Sequence, residues 1–333
     1  MTYKEDFYLM LDGKTPQSDV AYYRMSFTPD ANPGIASVMS SYNDMSGFMS
    51  GDRSSSINAW GIESSWDVNG TGPIPTPGRF ILKDARDWKD IVVAPYKRDF
   101  DFKTAAEQDM AMQVKDRQAQ LVSAGMLGGN YFLQMASFMG FEGAMLAMYD
   151  EPEAVHEMLD YLCDYDVWLA ENILNYYDVD TVGFGDDNAT EINPFVSLEM
   201  FREFLLPRYK RLYTVATDRG LPISYHNCGR CEDFMDDMVD IGTRVWNCAT
   251  PVNDLNAFKA KHDNKVILEV SPRFYPEDSE EKTRQKVRDI IDAYAPGGAF
   301  VWIGGVASMN PELEFVNDWI YDEVEKYGKD FYK

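Results

Sequence analysis

The sequence predicts an α/β chain closed as a (β/α)8 barrel, a TIM barrel, preceded by an irregular N-terminal extension. Five strand–helix units succeed one another over residues 178–327, each with a short apolar strand and a helix able to cover it. Each strand ends in polar or glycine residues: Asp186 and Asp187, His226 and Cys228, Cys248, Glu269, and Gly304 and Gly305. An open parallel sheet also accommodates such units. Chemical groups gathered from several strand ends suit a barrel better, because a barrel's site lies at the C-terminal face of its strands. Neither GxGxxG after an early strand nor GxxxxGK[ST] is present to support a nucleotide-binding fold. Gly125-Met-Leu-Gly-Gly129 lacks that spacing and marks a turn.

Taken in order, residues 1–80 carry little pattern beyond a short helix over 1–10 and an extended piece at 21–25. A polar stretch follows, up to Ala59-Trp-Gly-Ile62, and then a turn-rich loop over residues 70–78. A patternless stretch of this length in a compact domain often covers an active site. Residues 1–333 are therefore read as one barrel domain, with 1–80 over its mouth and Trp60 and Trp66 either lining the pocket or packing beneath the loop. Helices are expected over 104–122, 125–136, 139–148 and 156–176, the last started by Asp150-Glu-Pro-Glu153. His156 and Cys163 are read as ordinary residues of that helix. Strands then fall at 178–184, 221–225, 244–246, 266–269 and 299–303, with helices at 197–219, 232–241, 254–261, 280–294 and 312–327.

Composition narrows the function. A chain of 333 residues with 45% hydrophobic residues can fill a large core, and its 31 basic and 55 acidic residues leave a net charge of −24. Such a surface repels nucleic acid and anionic membrane, though a pocket can still hold a local field of opposite sign. There is no basic-then-apolar leader and no run of ~18 apolar residues, so a soluble cytoplasmic protein is expected. Four cysteines do not make a disulfide scaffold in a chain this long.

The chemistry concentrates in Ile223-Ser-Tyr-His-Asn-Cys-Gly-Arg-Cys-Glu232, which holds one of three histidines and two of four cysteines. His226 and Cys228 offer the imidazole and thiolate that bind zinc. A buried packing role, a nucleophilic Cys–His pair and a CxxC redox pair are the other readings of these residues. A metal site needs a further ligand, and Cys248, Glu269, Cys231 and the Asp186/Asp187 pair are available. Cys248, at the adjacent strand end, is sterically the simplest extra thiolate. Asp186 and Asp187 point to opposite faces if their strand persists, so one of them enters the pocket. Asp186, Asp187 and Glu269 are the acids placed for catalysis, since a buried carboxyl with a raised pKa can protonate a leaving oxygen.

The chain resembles the uroporphyrinogen decarboxylase superfamily, in its cobalamin-dependent methyltransferase branch. The resemblance rests on Phe184-Gly-Asp-Asp187, Pro207-Arg-Tyr-Lys210, His226-Asn-Cys-Gly229, Gly229-Arg-Cys-Glu232, Trp246-Asn247 and Asn253-Asp-Leu255. Ala59-Trp-Gly61 and the segment from Trp88 to Pro95 extend it upstream. It implies a (β/α)8 barrel that moves a methyl group between a small O-methylated or N-methylated donor and the cob(I)alamin of a separate corrinoid protein. It also implies zinc held by His226, Cys228 and a later cysteine near Gly304-Gly-Val306, where this chain has none. Cys248, Glu269 or another group must then complete the site. Decarboxylation of a tetrapyrrole-like acid ranks lower, because Arg24 and Arg53 are isolated where that activity uses an arginine-rich motif. A catalytically silent barrel serving as a binding subunit is the remaining alternative.

Overall fold

A computed structural model describes residues 2–24, 32, 34–43, 55–66, 73–125, 127–306 and 313–333. Arg53, residues 44–54 of the polar stretch and residues 70–72 of the expected loop lie outside them. Eight strands form one sheet: β1 (Ala21–Tyr22), β2 (Ile35–Val38), β3 (Leu121–Ala124), β4 (Thr181–Gly185), β5 (Ile223–His226), β6 (Thr243–Ala249), β7 (Ile267–Val270) and β8 (Phe300–Trp302). Their order is β1-β8-β7-β6-β5-β4-β3-β2, with every ladder parallel. This is the order of a (β/α)8 barrel: the sequential strands from β2 to β8 are neighbours, β8 returns to β1 by pairing Val301 with Ala21, and among the described residues no ladder joins β1 to β2.

β4 to β8 lie where the apolar runs place them. The first three strands differ. Residues 1–80 supply β1 and β2, so the segment read as an extension is partly barrel wall. The helix expected over 104–122 stops at Gln113, and β3 occupies 121–124. Side chains explain the break. Asp116 accepts the N–H groups of Gln118 and Ala119, and Gln120 accepts those of Lys115 and Asp116, which folds the polar segment into a turn. A small antiparallel sheet of Ser56–Ile57, Glu63–Trp66 and Pro73–Pro75 stands apart from the barrel sheet.

The helix Tyr3–Leu11 closes the N-terminal end of the barrel. A capping box between Thr2 and Glu5 starts it. Its Phe7 and Met10 pack with Leu121, Val245, Ile267 and Val301, alternate residues that fill the barrel interior. Polar ties fix it below the strand starts: Lys4 pairs with Asp180 at 2.9 Å, and Arg244 donates to the Leu11 carbonyl at 2.6 Å. The floor is therefore sealed, and the polar strand ends lie at the opposite face. The larger part of the core lies between sheet and helices, as where Trp246 meets Phe258 at 5.1 Å between ring centroids. Among the described residues no helix is long and apolar enough to cross a membrane.

Candidate metal centre

His226 is the last residue of β5, and Cys228 follows it by two residues, half-buried at the open end of the barrel. The third sulfur arrives by an irregularity in β6. Asn247 pairs with Glu269 of β7, but the next pair is Ala249 with Val270, so Cys248 is an extra residue in the ladder. Trp246 faces outward and Asn247 inward, so plain alternation would turn Cys248 away from the interior. A φ of 57° at Cys248, in the left-handed region, turns it back, and its side chain joins the interior cluster. For a residue bearing a Cβ that conformation costs about 1–2 kcal/mol. The outcome is a His226–Cys228–Cys248 group whose donor atoms all lie within 4.8 Å of one another.

Hydrogen bonding settles which imidazole nitrogen faces the sulfurs. The Asn247 amide nitrogen donates to Glu269 and, at 2.7 Å, to the Tyr23 hydroxyl. Its carbonyl oxygen is then the atom that meets His226 Nδ1, which must donate to it. Nε2 is then the nitrogen facing the sulfurs, 3.6 Å from Cys228 Sγ and 3.5 Å from Asp187 Oδ1. Tyr23 in turn donates to Glu269 at 3.0 Å. A carboxylate, an amide and an imidazole thus form one chain, the arrangement by which an outer group orients a metal-binding histidine.

The charges of the group are interdependent. The proton on Cys228, hydrogen-bonded to Cys248, drives the Cys248 thiol well below its ordinary range, with the His226 charge helping against burial. Cys228 moves the opposite way, since its proton is the one shared with Cys248. Burial lowers His226, yet the Cys248 charge and the bonds to Asp187, Cys228 and Cys248 hold it well above its usual value. Burial would also raise Asp187. Its bond and charge contact with His226, together with the Cys228 backbone N–H at 2.9 Å, hold it down at about 2.

Residues 79–306 match the uroporphyrinogen decarboxylase (URO-D) family. The chain belongs to that family. Among solved structures, a methyltransferase from Methanosarcina mazei superposes on this URO-D family barrel with a TM-score of 0.61, at 14% identity, covering 98% of this chain and 99% of that one. At this identity the likeness is one of fold. No curated protein sequence matches the chain.

Of the residues singled out in the sequence, the URO-D barrel brings His226, Cys228, Cys248 and Asp187 together. Asp186 goes to the other side of its strand. It is fully buried and accepts the N–H groups of Phe132 and Leu133 at the start of the Tyr131–Met139 helix and the Tyr209 hydroxyl at 2.7 Å. Burial raises it to about 7 against those hydrogen bonds. Glu269 lies behind Asn247, outside the donor group, and burial raises it to about 7 although Asn247 and Tyr23 both donate to it. Cys231 is buried at the start of the Glu232–Asp240 helix, with its thiol on the Asn227 carbonyl. Asn247 and Tyr23 were not singled out as site residues in the sequence. The inward parity of Asn247 with Val245 was a usable signal; Tyr23 gave none, because it follows a strand of only two residues.

Proposed function

We propose that the chain is a methyltransferase whose His226, Cys228 and Cys248 hold a zinc ion. In this reading it moves a methyl group from a small O-methylated or N-methylated donor to the cobalamin of a separate corrinoid protein. The observation that carries it is Cys248. A strained bulge delivers a second thiol to the imidazole, so the chain meets the His/Cys/Cys requirement without a cysteine near Gly304. One borderline nitrogen and two soft sulfurs, with His226 and Cys228 partly exposed and Cys248 buried, suit a zinc site that keeps a position for substrate. When bound, zinc supplies a Lewis acid able to polarise a methoxy oxygen or stabilise a thiolate.

The chain's own residues have distinct tasks. Asn247 keeps the proton on His226 Nδ1, so Nε2 is the nitrogen that would give up its proton to a metal. Glu269 and Tyr23 hold the Asn247 amide in that orientation. Asp187, ionised at neutral pH, adds negative charge beside the imidazole and fixes the Cys228 backbone. Asp186 has no exposed surface and its oxygens are engaged, so it positions the Tyr131–Met139 helix and does not reach a donor. Decarboxylation of a large polyanion finds less support. The buried arginine among the described residues, Arg208, bonds Asp160 and the His156 carbonyl among the outer helices, and Arg273 at the rim pairs with Glu191.

The test is spectrophotometric: zinc-loaded protein, free cob(I)alamin and a panel of methoxyaromatics and methylamines. Methylation with at least one donor, lost at least a hundredfold in His226→Ala, is expected. Equal rates in the His226→Ala variant would refute the assignment.

A further inference from the structure

A cavity of about 180 Å³ shares no residue with the metal centre. It sits among the loop after β3, the Pro152–Leu174 helix and the turn bearing Trp60. Its one charged group among the described residues is Asp166, a half-buried carboxyl on that helix. Asp166 Oδ2 accepts the Gly129 N–H at 2.8 Å, and no other hydrogen bond to the carboxyl occurs among the described residues. The loop is shaped around this group: a Cβ at Gly128 would lie 2.5 Å from Asp166 Cγ. Trp60, Tyr131 and Tyr165 supply aromatic wall, and the side-chain amide of Asn130 lines the same space. Trp60 and Tyr165 meet edge to face at 5.2 Å. The buried Tyr131 hydroxyl, which has Asp166 and the Cys163 thiol as neighbours, makes no geometrically acceptable hydrogen bond.

A carboxylate in a cavity also lined by indole and phenol rings is a combination suited to an organic cation. The carboxylate supplies charge, and the ring faces attract the cation by their quadrupoles. At ~30 Å³ per water-sized group, the space admits roughly six such groups, the size of a small alkylammonium ion. A net charge of −24 favours cations generally. An anion is disfavoured, since among the described residues no Lys or Arg lines the cavity. We infer that the Asp166 cavity is a binding site for a small alkylammonium ion, separate from the His226–Cys228–Cys248 centre. Because no residue is shared, the inference stands or falls independently of the methyl-transfer reading.

Calorimetric titration of the full chain at about pH 8, where Asp166, raised by burial to about 7, is ionised, with choline and with its uncharged isostere, 3,3-dimethylbutan-1-ol, tests this. Choline should bind at least tenfold more tightly than the isostere. Asp166→Asn, which keeps an oxygen for the Gly129 N–H, should weaken choline at least tenfold, and His226→Ala should leave it unchanged. Trp60→Phe, read by the same titration, should weaken choline several-fold if the ring face contributes. Equal binding of choline and the isostere, unchanged affinity in Asp166→Asn with its circular dichroism intact, or no choline binding by the wild-type chain would each overturn the inference. So would displacement of choline by an equal concentration of potassium, which would assign the cavity to an inorganic ion.

Discussion

Asn247 decides how the imidazole presents itself. Its amide nitrogen is committed to Glu269 and Tyr23, so its oxygen can only accept from His226. Asn247→Leu keeps the volume and removes the acceptor, freeing the ring to take the other tautomer. Zinc affinity, measured by competition with a chromogenic chelator, should fall about 10- to 100-fold, the usual cost of losing an outer-shell partner. Unaltered affinity would mean that Asn247 only fills space. His226 and Cys228 were legible as ligands because their types and spacing are chemically restrictive. Asp187 was distinguished from Asp186 only by the structure, since parity says that the two diverge but not which way the strand faces.

At the scale of the element, the extra residue in β6 is what converts an outward cysteine into a ligand. No pattern in the sequence announces it, because a bulge is set by how β6 and β7 pair across space. The left-handed backbone makes a specific forecast. In metal-free protein, Cys248→Gly should be more stable than Cys248→Ala by about 1 kcal/mol, because glycine adopts φ 57° without the Cβ penalty. Urea unfolding of the two variants gives the difference, and the opposite order would show that no strain is held there. β4 to β8 were legible for the contrary reason, as each is a short apolar run closed by a polar end. β1 was legible only as an extended piece at 21–25 and β2 not at all, the two being two and four residues long and set in polar sequence. β3 was hidden behind the turn at residues 115–120, whose side-chain hydrogen bonds replace helix bonds that propensity alone would continue.

The whole molecule encloses three carboxyl groups, Asp166, Asp186 and Glu269, that burial raises to about 7. An unfolded chain ionises such groups near pH 4, so between about pH 4 and 7 the folded state binds more protons than the unfolded one. Stability from this source is therefore present at low pH and lost as pH rises through 7. Over the same neutral range His226 is shifted up and Cys248 down, so their contributions oppose one another, and Asp187, at about 2, does not titrate. Metal-free protein should thus melt at a higher temperature at about pH 6.5 than at about pH 8. Glu269→Gln should flatten that slope. A melting temperature that climbs toward pH 8 would show that these carboxyls are ionised in the fold. Composition foretold none of this, because it counts acidic residues without saying which of them the barrel buries.

The metal centre is the claim on which the functional reading rests, and its most direct test is metal content. Protein purified without chelator, or reloaded with zinc and desalted, should carry about one zinc per chain, as one imidazole and two thiolates are strong zinc ligands. Cobalt substitution should add a near-ultraviolet thiolate charge-transfer band that drops by about half in Cys248→Ser and vanishes when Cys228→Ser is combined with it. A wild-type chain that stays metal-free after reloading, or a cobalt band unchanged by Cys248→Ser, would contradict the site.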